Sequence, residues 1–130
     1  MTRLLWLLIS VFVCVPALDA QTPQYQDTIL HNARTSAVGG TIVNVSQANT
    51  IRLDILITGT ATVSFNISGA GNYAWYPKLC TASDSTSPVT STDATGVFFC
   101  QVAAGNAFQA PITSYTSGAV SAVVRVSTAF

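Results

Sequence analysis

Few side chains in this sequence could do chemistry. There is one histidine, His31, and no glutamate, so the carboxylates are Asp19, Asp27, Asp54, Asp84 and Asp93. A Ser-His-Asp arrangement would have to use His31, which stands beside Asn32 with no G-x-S-x-G elbow in the chain. That histidine reads as a surface residue. Glycoside hydrolysis needs two carboxylates facing one bond. Asp84 and Asp93 sit in a stretch rich in Ser and Thr and read as turn formers, the alternative being calcium held through loop oxygens. No cysteine or carboxylate stands beside His31 at ligand spacing, and no Gly-rich segment links a strand to a helix. The expectation is a chain with no catalytic residues, no metal site and no cofactor.

Tyr73-Ala74-Trp75-Tyr76 is the cluster that could hold a ligand. On a strand Tyr73 and Trp75 share a face while Tyr76 takes the other, and a tyrosine beside a tryptophan makes a flat platform on which a sugar ring can stack. The structural alternative is a core role for Trp75, packed against Phe65 and Phe98, and it is preferred. Tyr115, next to Thr116-Ser117-Gly118, reads as an anchor at a strand end. Asn44-Val45-Ser46 and Asn66-Ile67-Ser68 match glycosylation acceptors, relevant in a eukaryotic source.

Arg3, the apolar run from Leu4 to Val15 and Pro16-Ala17-Leu18-Asp19-Ala20 read as a secretory signal peptide over residues 1–20, cut after Ala20 or, as a variant, after Ala17. About 12 apolar residues fall short of the roughly 20 that span a bilayer as a helix. The expected product is secreted, extracellular or periplasmic, with no membrane span in the mature chain. The leader inflates the 49% hydrophobic content. The mature chain, from Gln21 onward, fits one domain. Its charges, Asp27, Arg34, Arg52, Asp54, Lys78, Asp84, Asp93 and Arg125, are balanced and scattered, which excludes a phosphate-backbone partner and therefore nucleic acid. With Cys14 removed, Cys80 and Cys100 are left to pair as a disulfide, and closing a loop of about 20 residues stabilises by roughly 3 kcal/mol.

Alternation with a period of two supplies the elements. Ile51, Leu53, Ile55 and Ile57 face one way and Arg52 and Asp54 the other. Val63, Phe65 and Ile67 face inward on the next strand. Phe98, Cys100 and Val102 alternate with Val97, Phe99 and Gln101; Phe108, Ala110 and Ile112 obey the same rule, as do Val120, Ala122, Val124 and Val126. Thr81 to Thr95, with Pro88, reads as a variable loop. The fold class predicted is all-β, an antiparallel β-sandwich of jelly-roll or Ig-like type with about seven strands over residues 41–130. Residues 21–40 read as an N-terminal arm or linker with room for one edge strand. Its apolar pair Ile29-Leu30 prefers burial, either on its own sheet or across a neighbour's open edge, which makes it a candidate assembly arm.

The succession ILITGTATVSF, a Gly-rich turn before Trp75, GVFFCQVAAG and SYTSGAVSAVVRVS resembles a small β-sandwich module of tailed-phage virion, tail and fibre proteins and related bacterial secreted proteins. The resemblance runs from Thr41 to Ser127. It implies a structural or attachment module and brings no catalytic residues. The function expected is therefore a secreted, non-enzymatic structural or interaction module, such as a subunit of an extracellular fibre or a phage-like attachment module, partnered by another protein or by copies of itself. The alternative is a carbohydrate-binding module that takes a surface glycan on Tyr73 and Trp75.

Overall fold

The alternation around Leu53 becomes the centre of a sheet. In the computed structural model, which describes residues 24–69, 74–103 and 105–128, Thr50–Ile57 is a strand with Ile51, Leu53 and Ile55 buried and Arg52, Asp54 and Leu56 exposed. In chain order the strands are β1 Gln24–Arg34, β2 Val43–Asn44, β3 Thr50–Ile57, β4 Thr60–Ser64, β5 Asn66–Gly69, β6 Trp75–Pro77 and β7 Cys80–Ala82. They continue as β8 Pro88–Val89, β9 Ser91–Thr92, β10 Gly96–Gln101, β11 Gly105–Gln109, β12 Ile112–Ser117 and β13 Val120–Thr128. The described residues contain no helix, and every strand pairing among them is antiparallel. The expected signal peptide, residues 1–20, and Tyr73 lie outside the described residues.

One layer is a six-stranded sheet in the order β1-β13-β3-β10-β7-β8. The second is divided into two smaller sheets, β2-β11-β5-β6 and β12-β4-β9. Their registers run on from one another: Gly105 to Gln109 lie opposite Gly69 to Asn66, and Ile112 to Ser117 opposite Val63 to Thr60. Each smaller sheet is thus half of one bent pair of strands. The break falls at Phe65 and at Ala110-Pro111, where proline has no N–H to give. The groups freed there find other partners: Phe65 N–H donates to Thr90 O at 2.9 Å, Phe65 O accepts from Lys78 N–H at 2.8 Å, and Pro111 O accepts from Ser64 N–H at 2.9 Å.

The layers meet over one core, in which inward-facing Ile51, Leu53, Phe98 and Val124 of the large sheet join Val63, Phe65, Phe108 and Ile112 of the second. Phe65 and Phe98 touch across the layers with ring centroids 5.3 Å apart and planes at 50°, a favoured tilted geometry. This is a β-sandwich. At one corner the chain crosses between layers twice, through Gly59 and through Gly118, whose φ is +82°. A Cβ on Gly59 would run into the Ser117 carbonyl, and one on Gly118 into the Thr58 carbonyl. Only glycine lets both crossings pass so close.

Three expectations need correction. The strands number thirteen among the described residues rather than about seven, because the long ones break at Phe65 and Pro111 and because the expected loop Thr81 to Thr95 contains β8, β9 and most of β7. The boundary drawn at residue 40 is the second: β1, the edge strand for which residues 21–40 left room, pairs with β13 of its own sheet from Gln24↔Thr128 to Arg34↔Val120. In it Leu30 enters the core of this same chain while Ile29 is 59% exposed, so the two residues do not act as an apolar pair. His31 is the third correction. It is 2% exposed rather than on the surface. Successive residues Leu30 and His31 both point inward because β1 carries a bulge between Ile29 and His31.

Candidate functional site

The short strands after Cys80 build a groove. Cys80 and Cys100 lie directly opposite each other on β7 and β10 and are joined by a disulfide, with Cα atoms 4.3 Å apart. From that buried bridge the chain turns through Ser83 to Ser87, held by Ser83 N–H to Val97 O at 2.8 Å, Ser85 N–H to Ala82 O at 3.1 Å and Ser87 N–H to Ser85 Oγ at 3.1 Å. It returns along β9, where the Thr92 hydroxyl donates to Ala94 O and accepts from Ala94 N–H, both at 3.1 Å. Thr95 Oγ1 accepts from Ile57 N–H at 2.9 Å and ties the end of the loop to β3. The space between is a groove of about 610 Å³.

Its lining is hydroxyl and carboxylate beside an apolar surface of about equal extent. Ser83, Ser85, Ser87 and Ser91 line it with Asp84 and Asp93, and Val89, Val97 and Phe98 supply apolar surface. Among the described residues no lysine, arginine or histidine lines it. Asp84 and Asp93 are exposed, and among the described residues neither makes a hydrogen bond or ion pair. Such a wall can accept hydrogen bonds from a ligand's hydroxyl or amide groups. It repels anions.

The outer face of the six-stranded sheet is the second exposed surface. Across one row of the register stand Asp27, Arg125, Arg52 and Phe99, and across the next Ile29, Val123, Asp54 and Val97. Arg125 grips Asp27 with both arms of its guanidinium, Nε to Oδ1 at 2.8 Å and Nη2 to Oδ2 at 3.0 Å, and lies 5.7 Å from the centre of the Tyr25 ring. Arg52 Nε donates to Asp54 Oδ1 at 2.9 Å. The Arg125 hydrogen bond, more than its charge, holds the Asp27 carboxyl below the usual aspartate range, and the same pair raises Arg125. Tyr25, Ile29, Leu56 and Phe99 are exposed on this face.

The residues singled out in the sequence scatter over the molecule. Trp75 and Tyr76 are adjacent on β6, an edge of the second layer, opposite Ser68 and Ile67. Trp75 is half-buried and stands outside the core, so it is not the inner plug against Phe65 and Phe98; those two rings pack against each other instead. Tyr76 is exposed. His31 serves the frame: its Nε2–H donates to Ala110 O across the layers at 2.6 Å, while Nδ1 is buried without a partner. Gly40, at φ +78°, packs its bare Cα against that ring. Tyr115 donates its hydroxyl to Gly118 O at 2.7 Å and braces the corner between layers. Among the described residues no three His, Cys, Asp or Glu side chains gather as a metal set. No helix among them is long and apolar enough to cross a membrane.

Neither a protein-family model nor a curated protein matches the sequence. Solved structures do match its fold. The SPBc2 prophage-derived protein YomS superposes with a TM-score of 0.74 at 18% identity, over 82% of this chain and 95% of that one. The PBSX exported protein XepA superposes with a TM-score of 0.77 at 17% identity, over 82% of this chain and 39% of its own, so this chain spans well under half of XepA. The β-sandwich is therefore a fold that this chain shares with two phage-derived proteins, one of them exported.

Proposed function

We propose that this chain is exported and serves as a non-enzymatic structural or interaction module of a phage-associated kind, attaching through its exposed surfaces to a protein partner or a cell surface. The observation that carries the reading is the shared fold: at this identity it speaks for architecture, and the two structures named above are of phage-derived proteins. The leader-like residues 1–20 and the disulfide agree with export, since disulfides persist in oxidising compartments. The chemistry on the surface agrees with binding. The one histidine is spent on the frame, the carboxylates of the sheet face are held by arginines, and those of the groove stand among serine and threonine hydroxyls with no histidine, lysine or arginine of the described residues in the lining.

The test begins with expression of the full chain, tagged at its C-terminus, in a bacterial host. Intact mass of the product outside the cytoplasm is expected to correspond to a chain starting at Gln21 with its disulfide formed. The purified protein is then expected to sediment with bacterial cells and to leave glycan and peptide substrates uncleaved. A cytoplasmic product retaining residues 1–20, or measurable turnover of those substrates, overturns the proposal. Light scattering separates an assembling subunit from a solitary attachment domain.

A further inference from the structure

The groove beside the disulfide has a lining that selects a class of ligand. A volume of about 610 Å³ lies within the range of small-molecule sites, roughly 300–1,000 Å³. The absence of any cationic side chain in the lining turns away phosphates, sulfates and acidic sugars, which two carboxylates would repel. The apolar part of the lining, about as extensive as the polar part, gives the C–H face of a ring somewhere to lie. Among uncharged ligands a polyhydroxylated ring matches both the polar and the apolar part of this lining. Its vicinal hydroxyls are donors that an ionised carboxylate accepts in short, charge-assisted hydrogen bonds, and serine hydroxyls both give and receive.

The four aspartates of the described residues sharpen this point. Asp27 and Asp54 are each answered by an arginine on the sheet face. Asp84 and Asp93 are not answered at all, although they stand at the groove whose loops are otherwise tied down by their own hydroxyls, Ser85 to Ser87 and Thr92 to Ala94. The loops carry these bonds of their own, and the two carboxylates are unspent.

We propose that this groove binds a neutral saccharide, with Asp84 and Asp93 accepting from its hydroxyls, the serines of the loop completing the polar contacts and Val89 lying against the ring's apolar edge. The inference rests on the attachment reading and names the chemistry of what is attached to. It also moves the glycan away from Trp75 and Tyr76, which lie on β6 and do not line the groove.

The experiment is a two-dimensional 1H–15N NMR titration of the mature, disulfide-bonded protein with maltotriose, cellotriose, mannotriose and chitotriose, and separately with calcium chloride. At least one trisaccharide is expected to shift amides between Ser83 and Gly96 in a saturable way. Asp84→Asn and Asp93→Asn are each expected to weaken that sugar's binding at least tenfold with the rest of the spectrum unchanged, while Trp75→Ala leaves binding within twofold. Four results overturn the proposal: no shift with any of the trisaccharides; sugar shifts confined to Trp75–Pro77; Asn variants that bind as tightly as the parent; or calcium alone moving the loop. Failure here leaves export and co-sedimentation with cells untouched, so it is distinguishable from failure of the attachment reading.

Discussion

The outer face of the six-stranded sheet and the groove beside the disulfide use the same side chain in opposite ways. On the sheet, strand register fixes the neighbours of each aspartate: Asp27 of β1 faces Arg125 of β13 across the ladder, and Arg52 and Asp54 share the outer face of β3 two residues apart. Charge is cancelled within the sheet, and an exposed pair of this kind adds little to stability. In the groove the neighbours of Asp84 and Asp93 are serines and threonines whose bonds close back on their own loops. Pairing follows from regular structure, and availability from irregular structure. That is the general reason for seeking function on loops held by a rigid scaffold.

The contrast breaks first if the scaffold goes. Phe65→Ala removes a fully buried ring from between the layers, where it touches Phe98, and is expected to cost about 3–5 kcal/mol; chemical denaturation measures it. A loss below about 1 kcal/mol would mean that the two layers do not share one core. Replacing both Cys80 and Cys100 by alanine opens a link spanning a sequence separation of 20 and is expected to lower stability by roughly 3 kcal/mol. The groove should suffer more than the far side of the sheet, because β7 and β8 hang from that bridge. Hydrogen exchange is expected to rise for Ser83–Ser87 well before it rises for β1 and β13.

Trp75→Ala comes next. A core tryptophan would cost about 3–5 kcal/mol when truncated, whereas Trp75 is half-buried on a three-residue edge strand. Its loss is expected to cost less than about 2 kcal/mol, in keeping with partial burial. A value in the core range would return it to the interior and undo the assignment of that space to Phe65 and Phe98.

How much of this could be read from the sequence depended on the length of each alternating run. β3, β10 and β13 carry strict alternation with Ile, Leu, Phe and Val on one side, and their inward sets, from Ile51 to Ile55, Phe98 to Val102 and Val120 to Val126, are the buried ones. β1 could not be read so well. Gln26 and Thr28 take its inward positions, level with buried Val126 and Val124, and the bulge at Leu30-His31 puts two successive residues inside. His31 gives no signal of burial, since the acceptor that makes burial tolerable, Ala110 O, lies 79 residues away. Strands of two or three residues, as in β7 to β9, are too short to show a period. The groove depends on Ser83 meeting Val97 and Thr95 meeting Ile57. Its residue types were visible as a Ser, Thr and Asp stretch; their convergence was not.

The smallest effect tests the comparison itself. Arg125 lowers the Asp27 carboxyl in the folded protein, so the pair contributes stability above the ordinary aspartate range and loses it as pH falls through the lowered folded value. Asp27→Asn is therefore expected to flatten the acid side of the stability curve, between about pH 5 and 2, and to do so only at low ionic strength, because an exposed pair is screened by salt. Asp84→Asn removes no ion pair and should leave the denaturation midpoint at neutral pH where it is. Thermal melts of the three proteins across that pH range, at about 10 mM and about 500 mM salt, where screening goes from weak to nearly complete, read the difference. Equal slopes for Asp27→Asn and its parent at low salt would mean that the sheet carboxylate is as unspent as those of the groove, and the distinction between the two surfaces would fall.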